Sequence, residues 1–228
     1  MDHCLNVQLI RSKRRRKTIS LHIKEGGKIV IRAPYKASKR EIEEFVGEKE
    51  AWVVRKLAEE KERTKELRKA FVPGEKFLYL GEWYPLEIDE SDHEGLPLKL
   101  SFGNFVLNRD HVEEARNLFI EWYKKEAKEK IEGRIRYYSD RLHLSPKGAR
   151  ITSAKSRWGS CSRDNRLSFS WRIIMAPLTI IDYVLVHELV HIKEKNHSKK
   201  FWTSLEAVLT DYRERRVWLK KNGHRLWL

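Results

Sequence analysis

Only two cysteines, Cys4 and Cys161, occur in 228 residues. Two thiols cannot build a disulfide scaffold or a four-cysteine zinc finger, and such sparing use suits a reducing, cytoplasmic compartment. No apolar run approaches the ~20 residues that a bilayer-spanning helix needs, so a spanning protein is excluded. The first residues, Met1-Asp2-His3-Cys4-Leu5-Asn6, lack the apolar centre of a signal peptide. There is no Gly-x-x-x-x-Gly-Lys phosphate loop, no internal repeat and no low-complexity linker. Gln8 is the only glutamine.

What fills the chain instead is charge and aromatic bulk. Lys and Arg number 48 against 33 Asp and Glu, a formal charge of +15. Hydrophobic residues make up 40% and aromatic residues 11%, enough for a real core, so wholesale disorder is excluded. The 36% of charged residues, mostly Lys, Arg and Glu, resembles the ion-paired surface of a heat-adapted protein. The positive excess permits an anionic partner such as nucleic acid or nucleotide without requiring one. Arg11, Lys13, Arg14, Arg15, Arg16 and Lys17 are its densest cluster, too dense for a core. They are expected on a protruding hairpin loop or edge, either solvated or holding an anion.

Around that cluster, Val7-Gln8-Leu9-Ile10, Ile19-Ser20-Leu21-His22-Ile23 and Ile29-Val30-Ile31 read as strands, the last two joined by a Gly26-Gly27 turn. Pro34 ends them. Ser38 and Glu41 form a capping box for one long helix, with Ile42, Phe45, Val46, Val53 and Leu57 at helical spacing and a polar, mixed-charge end after Leu57. Residues 76–88 and 96–108 read as hairpins turning at Gly81-Glu82 and Gly103-Asn104. Asp110 and Glu113 repeat the capping-box pattern, before a helix to about Leu142 with Leu118, Trp122, Ala127, Ile131, Ile135 and Tyr138 in its apolar stripe. Residues 149–175 form a further hairpin that turns at Asp164-Asn165. Its return strand alternates through Leu167, Phe169, Trp171 and Ile173, and Pro177 ends it. The softest boundary lies near Asn108-Arg109-Asp110. It gives a β-rich region with a long helix over residues 1–108 and a catalytic region over 109–228. The fold class is α+β, with helices packed on an antiparallel sheet in the second region.

A helix capped by Thr179, with Asp182 at its positive end, then carries the chemistry. Ile181, Leu185, Val186, Leu189, Val190 and Ile192 cover most of its circumference at 100° per residue. Tyr183, His187 and His191 share one narrow sector, with Glu188 at its edge. A carboxylate on so apolar a helix is costly without a cation or hydrogen-bond partner. His-Glu-x-x-His supplies both. Imidazoles at i and i+4 reach one ion at the ~2.0–2.1 Å of a zinc–nitrogen bond, and Glu188 beside it can take a proton from a metal-bound water. By composition the motif is expected to occur by chance roughly 0.04 times in such a chain.

A catalytic zinc site keeps three protein ligands. His197 sits in an elbow that a left-handed Asn196 could turn, with Ser198 capping the next helix. It is the favoured third ligand, and Glu206 on that helix is the competitor. Arg157 and Ser160, in the preceding hairpin, are candidates for polarising a substrate carbonyl or holding an anion. Trp158, Trp171, Phe201 and Trp202 read as core, and Cys161 as a small buried thiol.

Lys155-Ser156-Arg157-Trp158-Gly159-Ser160-Cys161, Trp171-Arg172-Ile173-Ile174-Met175-Ala176-Pro177, His187-Glu188-Leu189-Val190-His191, Asn196-His197-Ser198 with Phe201-Trp202, and Asp211-Tyr212-Arg213-Glu214-Arg215-Arg216 together resemble the YgjP-like metallopeptidase family. So do Thr18-Ile19-Ser20-Leu21 after their basic start and Arg32-Ala33-Pro34, so the likeness covers almost the whole chain. The resemblance implies a zincin-like catalytic half, Zn2+ held by His187, His191 and His197, and Glu188 as general base. The family is similar to the SprT and WLM zinc proteases, relatives of which act on proteins crosslinked to DNA. That analogy would give the basic surface a purpose. Zinc-dependent peptide-bond hydrolysis is therefore the leading reading. A metal-dependent nucleotide phosphohydrolase and a nucleic-acid-associated protein with structural zinc are the alternatives.

Overall fold

The computed structural model describes residues 7–23, 27–67, 69–91 and 95–228, with side chains described outside 59–67. Cys4, the N-terminal residues 1–6 and Gly26 of the expected turn lie outside the described residues, as do the side chains of the mixed-charge helix end. The chain divides into two compact units, Met1–Arg68 and Lys69–Leu228. The expected boundary at 108/109 lies inside the second of them. Among the described residues no helix is long and apolar enough to cross a membrane.

In the first unit β3 (Ile29–Pro34) is the central strand. It pairs in parallel with β1 (Val7–Ser12) and antiparallel with β2 (Ser20–Ile23). The basic segment 11–17 therefore links two strands that are not neighbours, and is not a tight hairpin loop. Arg11 donates to the carbonyls of Tyr35 and Ala37, and Arg15 to Ser20 Oγ, so two of its cations are tethered to their own unit. The Ser38–Glu41 capping box forms as expected. The single long helix does not. It is two helices, α1 (Lys39–Gly47) and α2 (Glu50–Leu67), separated where Gly47 ends the first. Among the described residues, Ile29, Ile31, Ala33, Ile42 and Val53 form the buried apolar cluster of this unit.

The second unit begins with a four-stranded sheet in the order β4 (Lys76–Tyr79), β5 (Glu82–Asp89), β7 (Asn104–Asn108), β6 (Leu98–Ser101). Both hairpins form. Their turns are Leu80-Gly81 and Phe102-Gly103, one residue earlier than expected, with all four residues at positive φ. Paired left-handed residues match the twist of two-residue hairpins. Gly81 also lies where a Cβ would come within 2.8 Å of Pro177 Cγ. The same turn docks by backbone, Leu80 N–H to the Ile174 carbonyl and Gly81 N–H to that of Met175.

The Asp110/Glu113 pattern opens a 3-10 segment, Arg109–Glu114, rather than an α-helix; Asn108 caps it through the Asp110 N–H. α3 (Ala115–Leu142) follows. Its buried stripe runs Ala115, Phe119, Tyr123, Ala127, Ile131, Ile135, Tyr138. Leu118 and Trp122, expected in it, lie on its partly buried flank. Phe119 stacks on Phe77 at 4.1 Å between centroids, and Tyr123 on Trp171 at 5.8 Å. One apolar cluster thus spans the sheet, α3 and everything after it, and no boundary separates residue 108 from 109.

A second small sheet has the order β8 (Ala149–Thr152), β10 (Leu167–Ser170), β9 (Gly159–Cys161). It is mixed: β9 is antiparallel to β10, but β8 runs parallel to it. The strand alternation read through Ile173 stops at Ser170. Trp171–Met175 form a 3-10 turn in which all five side chains are buried. α4 (Leu178–Val190) then starts at Pro177, without a side-chain cap from Thr179. α5 (Lys199–Glu206) and α6 (Tyr212–Asn222) complete the unit. The molecule is α+β.

Candidate metal centre

α4 has ten buried residues between Ile180 and Val190, and in that span only His187 is partly exposed. Asp182 is fixed near its start by Arg134 of α3, with Nε and Nη2 donating to the two carboxylate oxygens at 2.7 and 2.6 Å. The Tyr138 hydroxyl donates to the same carboxylate at 3.0 Å. Asp182 was read as a partner of the helix dipole; here it clamps the helix to α3.

His187 projects from the last full turn of α4, and His191 from its C-cap. The backbone then turns with Glu194 N–H bonded to the Val190 carbonyl, and Ser198 caps α5 by accepting from Phe201 N–H. Asn196 is not left-handed; the turn is closed by backbone hydrogen bonds, including Ser198 N–H to the Asn196 carbonyl. Lys195 ties this elbow to Asn165 in the β9–β10 turn. His197 is thereby returned to the two helical histidines. His197 Nε2 lies 2.9 Å from His187 Nε2 and 3.2 Å from His191 Nε2.

Three imidazole nitrogens at such distances are what a single ion would need. Ligands ~2.0–2.1 Å from a tetrahedral centre stand about 3.3 Å apart. His191 Nδ1 lies 2.9 Å from the Glu194 carbonyl; donation there leaves the Nε2 lone pair facing the cluster. Burial and the neighbouring imidazoles hold His187 down to about 3, and burial likewise lowers His197. Neutral imidazole is the form that ligates a metal. The donor set therefore fits a zinc-type ion. Among the described residues these three histidines are the group able to hold one. Glu206, the competing ligand, pairs instead with Arg213 at 3.1 Å.

Glu188 is buried beside this cluster, 7% exposed. Burial pushes its carboxyl up to about 7, against the opposing pull of Arg157 and a hydrogen bond from the Cys161 N–H. Gly159 makes room for it. A Cβ at that position would lie 2.6 Å from Glu188 Cγ and 2.7 Å from Oε1. Ser160, between Gly159 and Cys161, lines a cavity with Cys161 and the exposed Arg157. Of the two hairpin candidates, Arg157 acts on Glu188 by its charge.

The aromatic residues near the site do more than fill the core. Phe201 is fully buried, with its ring centre 4.6–4.8 Å from all three imidazoles. Trp202 is half-buried and stacks on His197 at 5.6 Å and on Tyr212 at 5.5 Å. Arg216 of α6 lies over the other part of this stack, 5.0 Å from the Trp202 ring centre. Its charge acts on His187 and His197. The sequence reading gave Arg216 no role. The one available signal was its i+4 spacing from Tyr212, which puts both on one helical face.

The profile of the family described as YgjP-like, metallopeptidase domain, matches residues 17–222. No curated protein matches the chain. A solved structure, that of the metallopeptidase zymogen of Pyrococcus abyssi abylysin, is similar at 23% identity with a TM-score of 0.36. The match covers 40% of this chain and 93% of that one.

Proposed function

The chain belongs to the YgjP-like metallopeptidase domain family, and from that premise we propose that it hydrolyses peptide bonds with zinc held by His187, His191 and His197 and with Glu188 as general base. The observation that carries this reading is the meeting of three imidazole Nε2 atoms beside one buried carboxylate. A zinc ion bound there would lower the pKa of water toward ~7 and polarise the scissile carbonyl.

The protein's own groups do the rest. Buried beside the three histidines, the Glu188 carboxylate can accept a proton from the attacking water and pass it to the leaving amine. The Cys161 N–H holds that carboxylate in place. Phe201 walls the imidazoles from behind and keeps their rings fixed. Arg216, exposed over the Trp202 ring, adds a cation whose charge reaches the histidines and can attract the charge that develops on the carbonyl oxygen. β9 pairs only with β10 among the described residues, so the edge groups not taken by Glu188 can align an extended substrate by main-chain hydrogen bonds.

The test pairs metal content with turnover. Mass spectrometry should find about one zinc per chain, lost or weakly held in His197→Ala. The wild type should consume an unfolded protein and leave nucleoside triphosphates intact. Glu188→Gln should keep its zinc and lose at least ~10²-fold in turnover. Full activity in that variant, or hydrolysis of the nucleotide alone, would reject the mechanism.

A further inference from the structure

Beside β9 lies a cavity of about 500 Å3 whose lining includes Arg150, Arg157, Arg166, Ser160, Cys161 and Ser168. Three guanidinium groups share this space with a single carboxylate, Asp164. That carboxylate is already engaged by Ser162 Oγ and, at 3.0 Å, by Arg166 Nε. Arg150 spends only its Nε, on Ser168 Oγ at 3.0 Å. Both therefore keep their terminal N–H donors. Arg157 makes no hydrogen bond or ion pair to another described residue. Formally the cavity lining carries a charge of +2, three arginines less one aspartate.

Its position ties it to the chemistry. β9 is three residues long. Gly159 abuts the Glu188 side chain and the Cys161 N–H bonds its carboxylate, while Ser160 and Cys161 line the arginine cavity. At ~3.3 Å per residue, cavity and base are separated by no more than about 10 Å of strand. A substrate on the β9 edge would deliver a side chain there one or two residues from the scissile bond.

Resting on the peptidase reading above, we propose that this cavity is a substrate subsite for a carboxylate, so that the protein prefers peptides with Glu or Asp close to the cleaved bond. Planar guanidinium forks match a carboxylate's two oxygens, and serine hydroxyls can accept or donate at the remaining positions. The volume suits one or two side chains. Asp164 on its rim opposes a longer run of phosphates, which favours an isolated anion over a nucleic-acid backbone.

Binding and turnover test this separately. Zinc-loaded Glu188→Gln is titrated with fluorescent heptapeptides in which one Glu, moved stepwise along the chain, is compared with Gln at the same place. At one or two positions the Glu peptide should bind about tenfold tighter, an advantage that shrinks with salt. Arg150→Ala and Arg166→Ala should bring the ratio below about twofold. Arg157→Glu should reverse the preference toward a Lys peptide, a gain that a misfolded variant cannot mimic. Equal binding of Glu and Gln peptides at every position overturns the subsite, as does displacement by an oligonucleotide of a peptide that shows no charge preference. The wild type is then assayed on the same peptides. Cleavage without preference sinks the subsite and leaves the peptidase standing. Charge-selective binding with no cleavage of any peptide keeps the subsite and removes the peptidase reading.

Discussion

Glu188 sits where ionisation is opposed, and that has a readable consequence at the scale of one residue. Its folded value is raised from 4.5 to about 7, chiefly by burial. A raised carboxyl stabilises the metal-free fold fully below pH 4.5, and that contribution fades as pH rises through 7. About 3 kcal/mol is at stake at 1.36 kcal/mol per unit. His187, held down to about 3, works in the opposite sense: it favours the fold above its ordinary 6.5 and loses that benefit as acid charges the unfolded chain. Comparing urea unfolding of metal-free wild type with Glu188→Gln from pH 5 to 8 isolates the first effect. The wild type should lose stability relative to the variant across that range; parallel curves would show that Glu188 is not desolvated. Gly159 gives a second test. The carboxyl group that a Cβ would strike is held by the Cys161 N–H, so Gly159→Ala should displace Glu188 while leaving the histidines alone. Turnover falls at least tenfold and zinc content stays at wild-type level. Loss of zinc instead would mean that the strand itself had moved. His187, His191 and Glu188 stand out in the sequence because i, i+4 spacing on an apolar helix is a local rule; His197 comes back through a turn that backbone hydrogen bonds close, not the left-handed Asn196 expected. Gly159 and Arg216 do not stand out, because their roles depend on which strand and which helix arrive beside α4.

At the scale of elements, residues that set local geometry were read more securely than those that set junctions. The Ser38–Glu41 box, both hairpins and the Ser198 cap form where their residue types dictate. The break at Gly47, the 3-10 turn after Ser170 and the shift of the α3 stripe onto Phe119 and Tyr123 were missed. Each is decided by what the element packs against. Asp182 belongs with these: it sits at the start of α4, yet its function is tertiary. Its side chain is 8% exposed against 27% for Arg134. Arg134→Met should therefore strand a buried carboxylate with only Tyr138 as donor, at a cost of roughly 2–3 kcal/mol. Chemical denaturation would measure it. A change under 0.5 kcal/mol would show that water reaches Asp182 and that α4 is positioned by apolar packing alone.

At the scale of the molecule, two units with unequal cores imply unequal stabilities. Among the described residues, the apolar cluster of the unit 1–68 has five buried members, a marginal set for a chain of that length. The unit of residues 69–228 has an extended aromatic and aliphatic core and contains all three histidines, Glu188 and the arginine cavity. A bound metal stabilises only what holds it, by about 4 kcal/mol when free ion exceeds its dissociation constant a thousandfold. Calorimetry of the full chain is expected to show two transitions. A chelator should lower the upper one by roughly 10 °C or more and leave the lower one in place. A fragment beginning at Lys69 should then reproduce the upper transition and its chelator shift. One chelator-sensitive transition for the whole chain, with an unfolded fragment, would show instead that residues 1–68 are needed to complete the fold that carries the metal centre.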